Sequence, residues 1–316
     1  NGTAINYTVT EDPVANYSTQ ITKADGSFTY TVTNTAINVS GNCGQTGDDG
    51  SDVTWHYGVT TKALTISGTG QMMDYSSDQG SDNQYHSTAP WSHFDSEIET
   101  VVVVEGVTYI GNDAFTCCPA LTSVSLPSTL EAIGNDAFTG CTSLTTVTLN
   151  GGVTIGNNAF PANATVTIAD GLRLYNGMKV LSGAVTDMDD VNGKDLRPAV
   201  KITLPTGVTA TGTDVFDQND ETYALPGATV TLGYTGPEGS IAVYTVTKDG
   251  SDSAETVDIA EEAGIYTFTM PTGDVTVTVL TNIVTKDNFY SFFDDSGTLQ
   301  DNDPFDELIF QGEFSD

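Results

Sequence analysis

Positive charge is the scarcest commodity in this chain. Of 316 residues only 9 are lysine or arginine, against 42 aspartates and glutamates, so the formal net charge is −33. A chain so acidic repels nucleic acid and anionic membrane surfaces. The excess does not choose a partner, because a highly soluble surface accounts for it. Long apolar runs are also missing. The longest candidate, TVVVVEGV at 100–107, is strand-sized, well short of the roughly 18 residues of a membrane helix. The four cysteines, Cys43, Cys117, Cys118 and Cys141, are too few and too unevenly spread for a disulfide scaffold, and they lack the paired C-x-x-C of a zinc site. Only three histidines occur, His56, His86 and His93. His56 and His93 neighbour Trp55 and the Pro90-Trp91 pair, which suits packing. No G-x-S-x-G, H-E-x-x-H, glycine-rich phosphate loop or Cys-His pairing is present. Paired carboxylates for glycoside hydrolysis stay open among so many acids, but none sits in an apolar, pKa-raising context. The reading is of a protein that is not an enzyme, with no catalytic residue, cofactor or metal.

Charged residues make up only 16% of the chain, below the roughly 25% of ordinary domains. Threonine, serine, glycine and asparagine fill the gap, with much Val-Thr alternation. This is the composition of extracellular β-modules rather than of a cytosolic enzyme. The centre of the chain repeats itself. Gly111-Asn112-Asp113-Ala114-Phe115 returns as Gly134-Asn135-Asp136-Ala137-Phe138. Ile110, Ile133 and Ile155 align at spacings of 23 and 22, as do Phe115, Phe138 and Phe160. Cys118, Leu121, Val124 and Leu126 recur as Cys141, Leu144, Val147 and Leu149. A period of 20–29 residues with an L-x-x-V-x-L core marks a leucine-rich repeat solenoid. Each coil has one face it cannot bury alone, so coils stack and share a core. The glycine after each isoleucine allows a tight bend. Asn112, Asn135 and Asn157 sit where a turn side chain can satisfy backbone groups. Phe138 is predicted to lie in the core, and strands near Val101, Val124 and Val147 are predicted to form one parallel sheet.

The pattern V-T-x-I-G-x-x-A-F-x-x-C-x-x-L-T-x-V-x-L-P resembles the BspA-like, or Treponema-type, leucine-rich repeat, with two full copies and a partial third, VTIGNNAFP. Residues 41–103 resemble that family's N-terminal cap, with Trp55, Leu64, Ile66, Met72, Tyr75 and Trp91 closing the open end. The stretch GLRLYNGMKVLSG at 171–183 would lie past the other end. The resemblance spans about 41–183. It implies buried core thiols at Cys118 and Cys141. Cys43 and Cys117 fall outside that ladder, and a disulfide between them stays open. It further implies a family associated with adhesion.

In L-x-x-V-x-L strands the residues flanking the central valine point outward. One column is then Thr100, Ser123, Thr146 and Thr165, and a second is Val102, Ser125, Thr148 and Thr167. These eight are the candidate binding residues. They are nearly all small hydroxyls, without the Trp, Tyr or Arg anchors that usually supply affinity. A hydroxyl ladder that merely suits parallel pairing is the plainer reading, with ligand capture beside it.

Residues 184–200, AVTDMDDVNGKDLRPAV, read as an acidic linker. Asp187, Asp189, Asp190 and Asn192 fail the calcium loop D-x-[DN]-x-[DN]-G, because Val191 takes a ligand position and no closing glutamate follows. From 201 to 282 the period is two, and about seven short strands fit a β-sandwich. This segment resembles bacterial Ig-like modules, which are usually spacers. Residues 1–40 resemble part of a collagen-adhesin B-type (Cna-B) stalk domain. By that resemblance Asn34 matches the isopeptide asparagine and Glu11 its catalytic acid, while the first-strand lysine is missing. Lys23 precedes a turn and would point to solvent, so no intramolecular Lys–Asn bond is expected. Residues 283–316 read as the start of a further module or a tail. Asn1 opens no signal peptide, and both ends read as cut from a longer modular protein. LPSTL at 126–130 sits inside the repeat with no apolar tail, which rules out a sortase signal. The five N-x-[ST] sequons are what so much Asn, Ser and Thr gives by chance. The fold class is mainly β: a short capped solenoid followed by an Ig-like sandwich. The function expected is that of a bacterial surface or secreted segment. Its partners would be a host or neighbouring-cell protein or glycan, or copies of itself in a stalk or filament.

Overall fold

In the computed structural model of the chain, the residues described are 17–23, 30–36, 39–45, 49–79, 85–236, 240–250 and 255–283. The chain divides into two compact units, 1–199 and 200–316, and each is built almost entirely of short strands.

The first unit begins with an antiparallel pair, Tyr17–Lys23 with Tyr30–Ala36. The cap follows. Ser40–Asn42, Val53–Gly58 and Ala63–Gly68 pair antiparallel. Strict alternation in VTWHYG sends Val53, Trp55 and Tyr57 inward and leaves His56 exposed. His93 is exposed as well, so neither histidine joins the cap packing, contrary to the reading from their neighbours. Trp55, Leu64, Ile66, Met72 and Trp91 are buried as expected, and Tyr75 packs partly buried against them. Ala63–Gly68 then changes partner type and pairs parallel with Thr100–Val103, so the cap and the repeats share one sheet.

Parallel pairing at the repeat period dominates from there on. On one side Gly70–Gln71, Val107–Ile110, Ala132–Ile133 and Val153–Ile155 form a continuous parallel ladder. On the other side Val124 lies opposite Val101, and Val147 opposite Val166, both in parallel register. The expected single sheet through Val101, Val124 and Val147 is interrupted: Ser123–Ser125 ends one ladder and Thr146–Leu149 begins another. Ser123–Ser125 is only three residues long. A side chain bridges the break instead, with Asn150 Nδ2 donating to the Leu126 carbonyl at 2.9 Å.

Between the ladders runs a column of aromatic rings. Trp91, Phe115, Phe138 and Phe160 stack with centroid separations of 5.6, 5.1 and 5.6 Å. All four rings are buried. The backbone follows the rings, as the Phe115 N–H donates to the Ala137 carbonyl and the Phe138 N–H to the Ala159 carbonyl, each at 2.8 Å. The turn asparagines form a second column. Asp74 Oδ1 accepts from the Asn112 N–H, Asn112 Oδ1 from that of Asn135, and Asn135 Oδ1 from that of Asn157, at 2.9, 2.6 and 2.8 Å. The next residue of each repeat, Asp113, Asp136 and Asn158, is left-handed, with φ of 50°, 54° and 51°. Asp and Asn are the side chains that tolerate this conformation best. Cys117 also lies there, at φ 61°, where the following repeat has Gly140 at φ 77°.

Residues 184–198 are no loose connector. Ala184–Val185 pairs antiparallel with Thr165–Ile168, and Asp195–Pro198 with Val153–Ile155 and Leu174–Tyr175. Met188, Val191 and Leu196 are buried in the repeat core, and burial of about three such side chains outweighs the solvation of the acids between them. Asn192 does the work of a missing repeat: its Oδ1 accepts from the Phe160 N–H and its Nδ2 donates to the Phe160 carbonyl, both at 3.0 Å. Asp187 accepts from the Asp189 N–H at the head of a short 3-10 turn, and Lys179 pairs with Asp190 at 2.6 Å.

The second unit holds two sheets around one core. Val200–Thr203, Val215–Gln218, Glu221–Ala224, Ser240–Lys248, Glu255–Val257 and Val275–Ile283 make the larger. Val208–Thr211, Thr229–Tyr234, Ala260–Glu262 and Ile265–Thr269 make the smaller. Ile202, Val246, Val275 and Val277 of the first meet Val208, Val230, Leu232 and Phe268 of the second. The period-two pattern read from the sequence is the cause: alternate residues face this core.

Two stability measurements test this architecture. Phe138→Ala removes a ring packed between two others and should cost about 3–5 kcal/mol in urea unfolding; a loss below about 1 kcal/mol would contradict the stacked column. Asn192→Ala should cost about 1–3 kcal/mol by leaving the Phe160 backbone groups buried and unpaired, and an unchanged midpoint would show that 184–198 does not close the stack.

Candidate interaction surface

The eight residues singled out by the repeat pattern do share one kind of face. Thr100 lies opposite Ser123 and Val102 opposite Ser125, and across the break Thr146 lies opposite Thr165 and Thr148 opposite Thr167. Ser123, Ser125, Thr146 and Thr148 are exposed, and Thr100, Val102, Thr165 and Thr167 are half-buried, while Val101, Val124, Val147 and Val166 between them point into the core. Strand pairing sets neighbours in a column about 4.8 Å apart and the two columns about 6.6 Å apart. The columns continue past the repeats. Thr65 lies opposite Val102 on the cap strand, and Ala184 opposite Thr167 on the closing segment. Thr65 was missed because the cap lacks the repeat motif, although the alternation in ALTISG carries the signal.

This face has no titratable group among its eight residues, so hydrogen bonding and van der Waals contact are what it can offer. Carboxylates nearby are engaged in structure. Glu105 accepts from the Ser128 N–H at 2.8 Å and from the Thr129 N–H at 3.2 Å. Those backbone hydrogen bonds hold its carboxyl below the usual range. Buried Asp95 pairs with His86 Nδ1 at 2.6 Å, a contact within the cap's neighbourhood rather than on the hydroxyl face. No group of three or more metal-ligating side chains occurs among the described residues. A half-open cavity of about 510 Å³ lies in the second unit, lined by Leu204, Val208, Ala210, Asp217 and Asp220 among others.

Of the isopeptide pair, Asn34 lies on the Tyr30–Ala36 strand opposite Thr19, and Glu11 lies outside the described residues. Lys23 is exposed, with its Nζ 5.8 Å from the Tyr30 ring centroid.

The four thiols are all free, so Cys43 and Cys117 are not joined. Cys118 and Cys141 are buried, as the repeat implied, and Cys141 Sγ donates to the Phe115 carbonyl at 3.1 Å. Burial pushes the Cys43 thiol up to about 12, aided by the neighbouring Asp52 carboxylate. Cys118 is raised well above the ordinary thiol value by its hydrogen bond with Cys141 and by burial. Half-buried Cys117 is raised by burial too.

Residues 90–170 match the family described as BspA type Leucine rich repeat region (6 copies). Two solved structures are similar. One, a leucine-rich repeat protein from Eubacterium ventriosum, is 26% identical over 42% of this chain and 40% of that one, with a TM-score of 0.28. The other, the leucine-rich repeat protein of T. pallidum, is 17% identical over 39% of this chain and 65% of that one, with a TM-score of 0.22. The chain therefore spans less than two thirds of either. No curated protein matches it. Residues 90–170 are thus similar to a BspA-type leucine-rich repeat region. No helix among the described residues is long and apolar enough to cross a membrane.

Alkylation in the native state at about pH 8 should modify half-buried Cys117 first and spare Cys43, Cys118 and Cys141 until unfolding, because all three are buried away from the reagent and the raised pKa of Cys43 and Cys118 leaves those two almost no thiolate. Labelling of Cys43 as fast as Cys117 by mass spectrometry would contradict the cap packing.

Proposed function

We propose that this chain is a non-enzymatic segment of a modular bacterial surface or secreted protein, and that its repeats form a short capped solenoid which binds a protein or glycan through the hydroxyl face. The observation that carries the reading is the register within each strand pair: Thr100 and Val102 lie opposite Ser123 and Ser125, and Thr146 and Thr148 opposite Thr165 and Thr167, with the valines between them turned into the core. In a chain of net charge −33 this face carries no charge. Closely spaced hydroxyls, each donor and acceptor, suit a partner that is itself dense in hydroxyls or in peptide groups. An acidic or basic macromolecule has nothing to pair with there. Nucleic acid is excluded as a partner by the same charge balance.

In this reading the second unit is an Ig-like spacer, and residues 1–40 are part of a Cna-B-like stalk domain in which Glu11 and Asn34 match the catalytic acid and the asparagine of an isopeptide motif. The segment would work outside the cell, on a host or neighbouring-cell surface. A stalk or filament subunit that contacts copies of itself is the second reading. It is favoured by the absence of Trp, Tyr and Arg from the hydroxyl face, the side chains that dominate most binding surfaces.

Binding of immobilised host-matrix proteins and glycans by the whole chain tests the first reading. Ser123→Arg with Thr146→Arg should lower affinity at least about tenfold while stability moves by no more than about 0.5 kcal/mol, since exposed positions tolerate substitution. Binding unaffected by the double variant would overturn the assignment of the face, and robust turnover of glycans or peptides would overturn the non-enzymatic reading.

A further inference from the structure

The second unit contains a strand pair whose outer edges are covered only in part by described strands. Val275–Ile283 pairs with Ser240–Lys248 along its whole length. On its other side Val200–Thr203 reaches only Val275 and Thr276, and Pro205 follows shortly after. The outer side of Ser240–Lys248 is covered only at Val246–Lys248, by Glu255–Val257. Among the described residues, 277–283 and 240–245 therefore present a row of main-chain N–H and C=O groups that no strand pairs.

Unpaired edges invite pairing with another chain, and proteins guard them with charge, proline or bulges. Three of this unit's four sheet-end strands do so: Ala260–Glu262, Glu255–Val257 and Val215–Gln218 carry Glu261 and Glu262, Glu255, and Asp217, whereas the short fourth, Val208–Thr211, carries no charge. The uncovered ribbon has no such guard. SIAVYTVT at 240–247 and VTVTVLTNI at 275–283 contain no charged residue, proline or glycine, in a chain with 42 acids. High β-propensity without charge or proline is the pattern of segments that pair with one another. Leu280, at 68% exposure, stands in the middle of this edge with its side chain in water.

We propose that the 277–283 edge is a self-association site, at which the strand pairs antiparallel with the same strand of a second copy about a two-fold axis at Leu280. Three observations choose a second copy over a foreign strand. The edge carries no charge to select an oppositely charged partner. It is its own complement under a two-fold rotation, which sets Leu280 against Leu280 and Val279 against Thr281. It also removes the exposed leucine from water, with aliphatic cross-strand contact as the gain. A two-fold pairing closes on itself and gives dimers rather than open fibres. The proposal stands apart from the repeat face and does not depend on what that face binds.

Sedimentation equilibrium of the whole chain tests it. The expected result is a reversible dimer that tightens as NaCl rises from about 0.05 M to about 0.5 M, because screening weakens the repulsion between two acidic chains. Leu280→Lys sets two lysines face to face and should weaken association at least about tenfold. Leu280→Thr, an exposed and uncharged change to a good strand former, should weaken it less at an unchanged Tm, and it decides the matter if the lysine variant folds poorly. A chain that stays monomeric at every salt concentration overturns the proposal. So does a dimer that neither substitution weakens, which would place association elsewhere. Ligand binding by the repeat face should survive Leu280→Lys, so failure of one reading is distinguishable from failure of the other.

Discussion

Each repeat of this protein is incomplete until the next one arrives, and that dependence shapes the whole first unit. A single coil of about 23 residues exposes an aromatic ring on both faces and leaves backbone donors with no acceptor inside the coil. Stacking satisfies both together: Phe115 covers Phe138, and their N–H groups reach the carbonyls of Ala137 and Ala159 in the following coils. The two ends of the column then become the problem. At one end Trp91 lies on Phe115 and donates its indole N–H to the Ala114 carbonyl at 3.0 Å, joining cap to repeats. At the other, Asn192 offers a carboxamide with the shape of a peptide group, and both polar groups of Phe160 find partners on it.

The same stacking generates the face proposed to bind. Because alternate residues of each strand enter the core, the residues between them must come out, one per strand per column. A binding surface of this kind is regular and flat in composition, and its specificity comes from spacing rather than from a deep pocket. The ring and asparagine columns fix that spacing, so the side chains that hold the stack together also set where the hydroxyls stand.

Much of this was legible from the residues. The recurrence of G-N-D-A-F, with Cys and Leu at fixed offsets, fixed which side chains are buried and which columns face out, and even the role of the turn asparagines. Three things were not. The 184–198 segment reads as acidic linker because its apolar residues, Met188, Val191 and Leu196, are isolated among charges with no strand or helix period. The contribution of Asn192 depends on Phe160, 32 residues away, and no local pattern reports that. The break between Ser123–Ser125 and Thr146–Leu149 arises from backbone register, which a strict repeat conceals. In the cap, the position of His56 was misjudged from its neighbour Trp55, whereas the alternation of the strand already assigns the two to opposite faces.

Native-state hydrogen exchange at the amides of Phe115, Phe138 and Phe160 tests the central claim most directly. If cap, repeats and closing segment are one cooperative stack, the three amides share a single opening free energy, that of unfolding the unit, and all three lose protection together in denaturant. An independent, low-energy opening at Phe160, with Phe115 and Phe138 still protected, would contradict it.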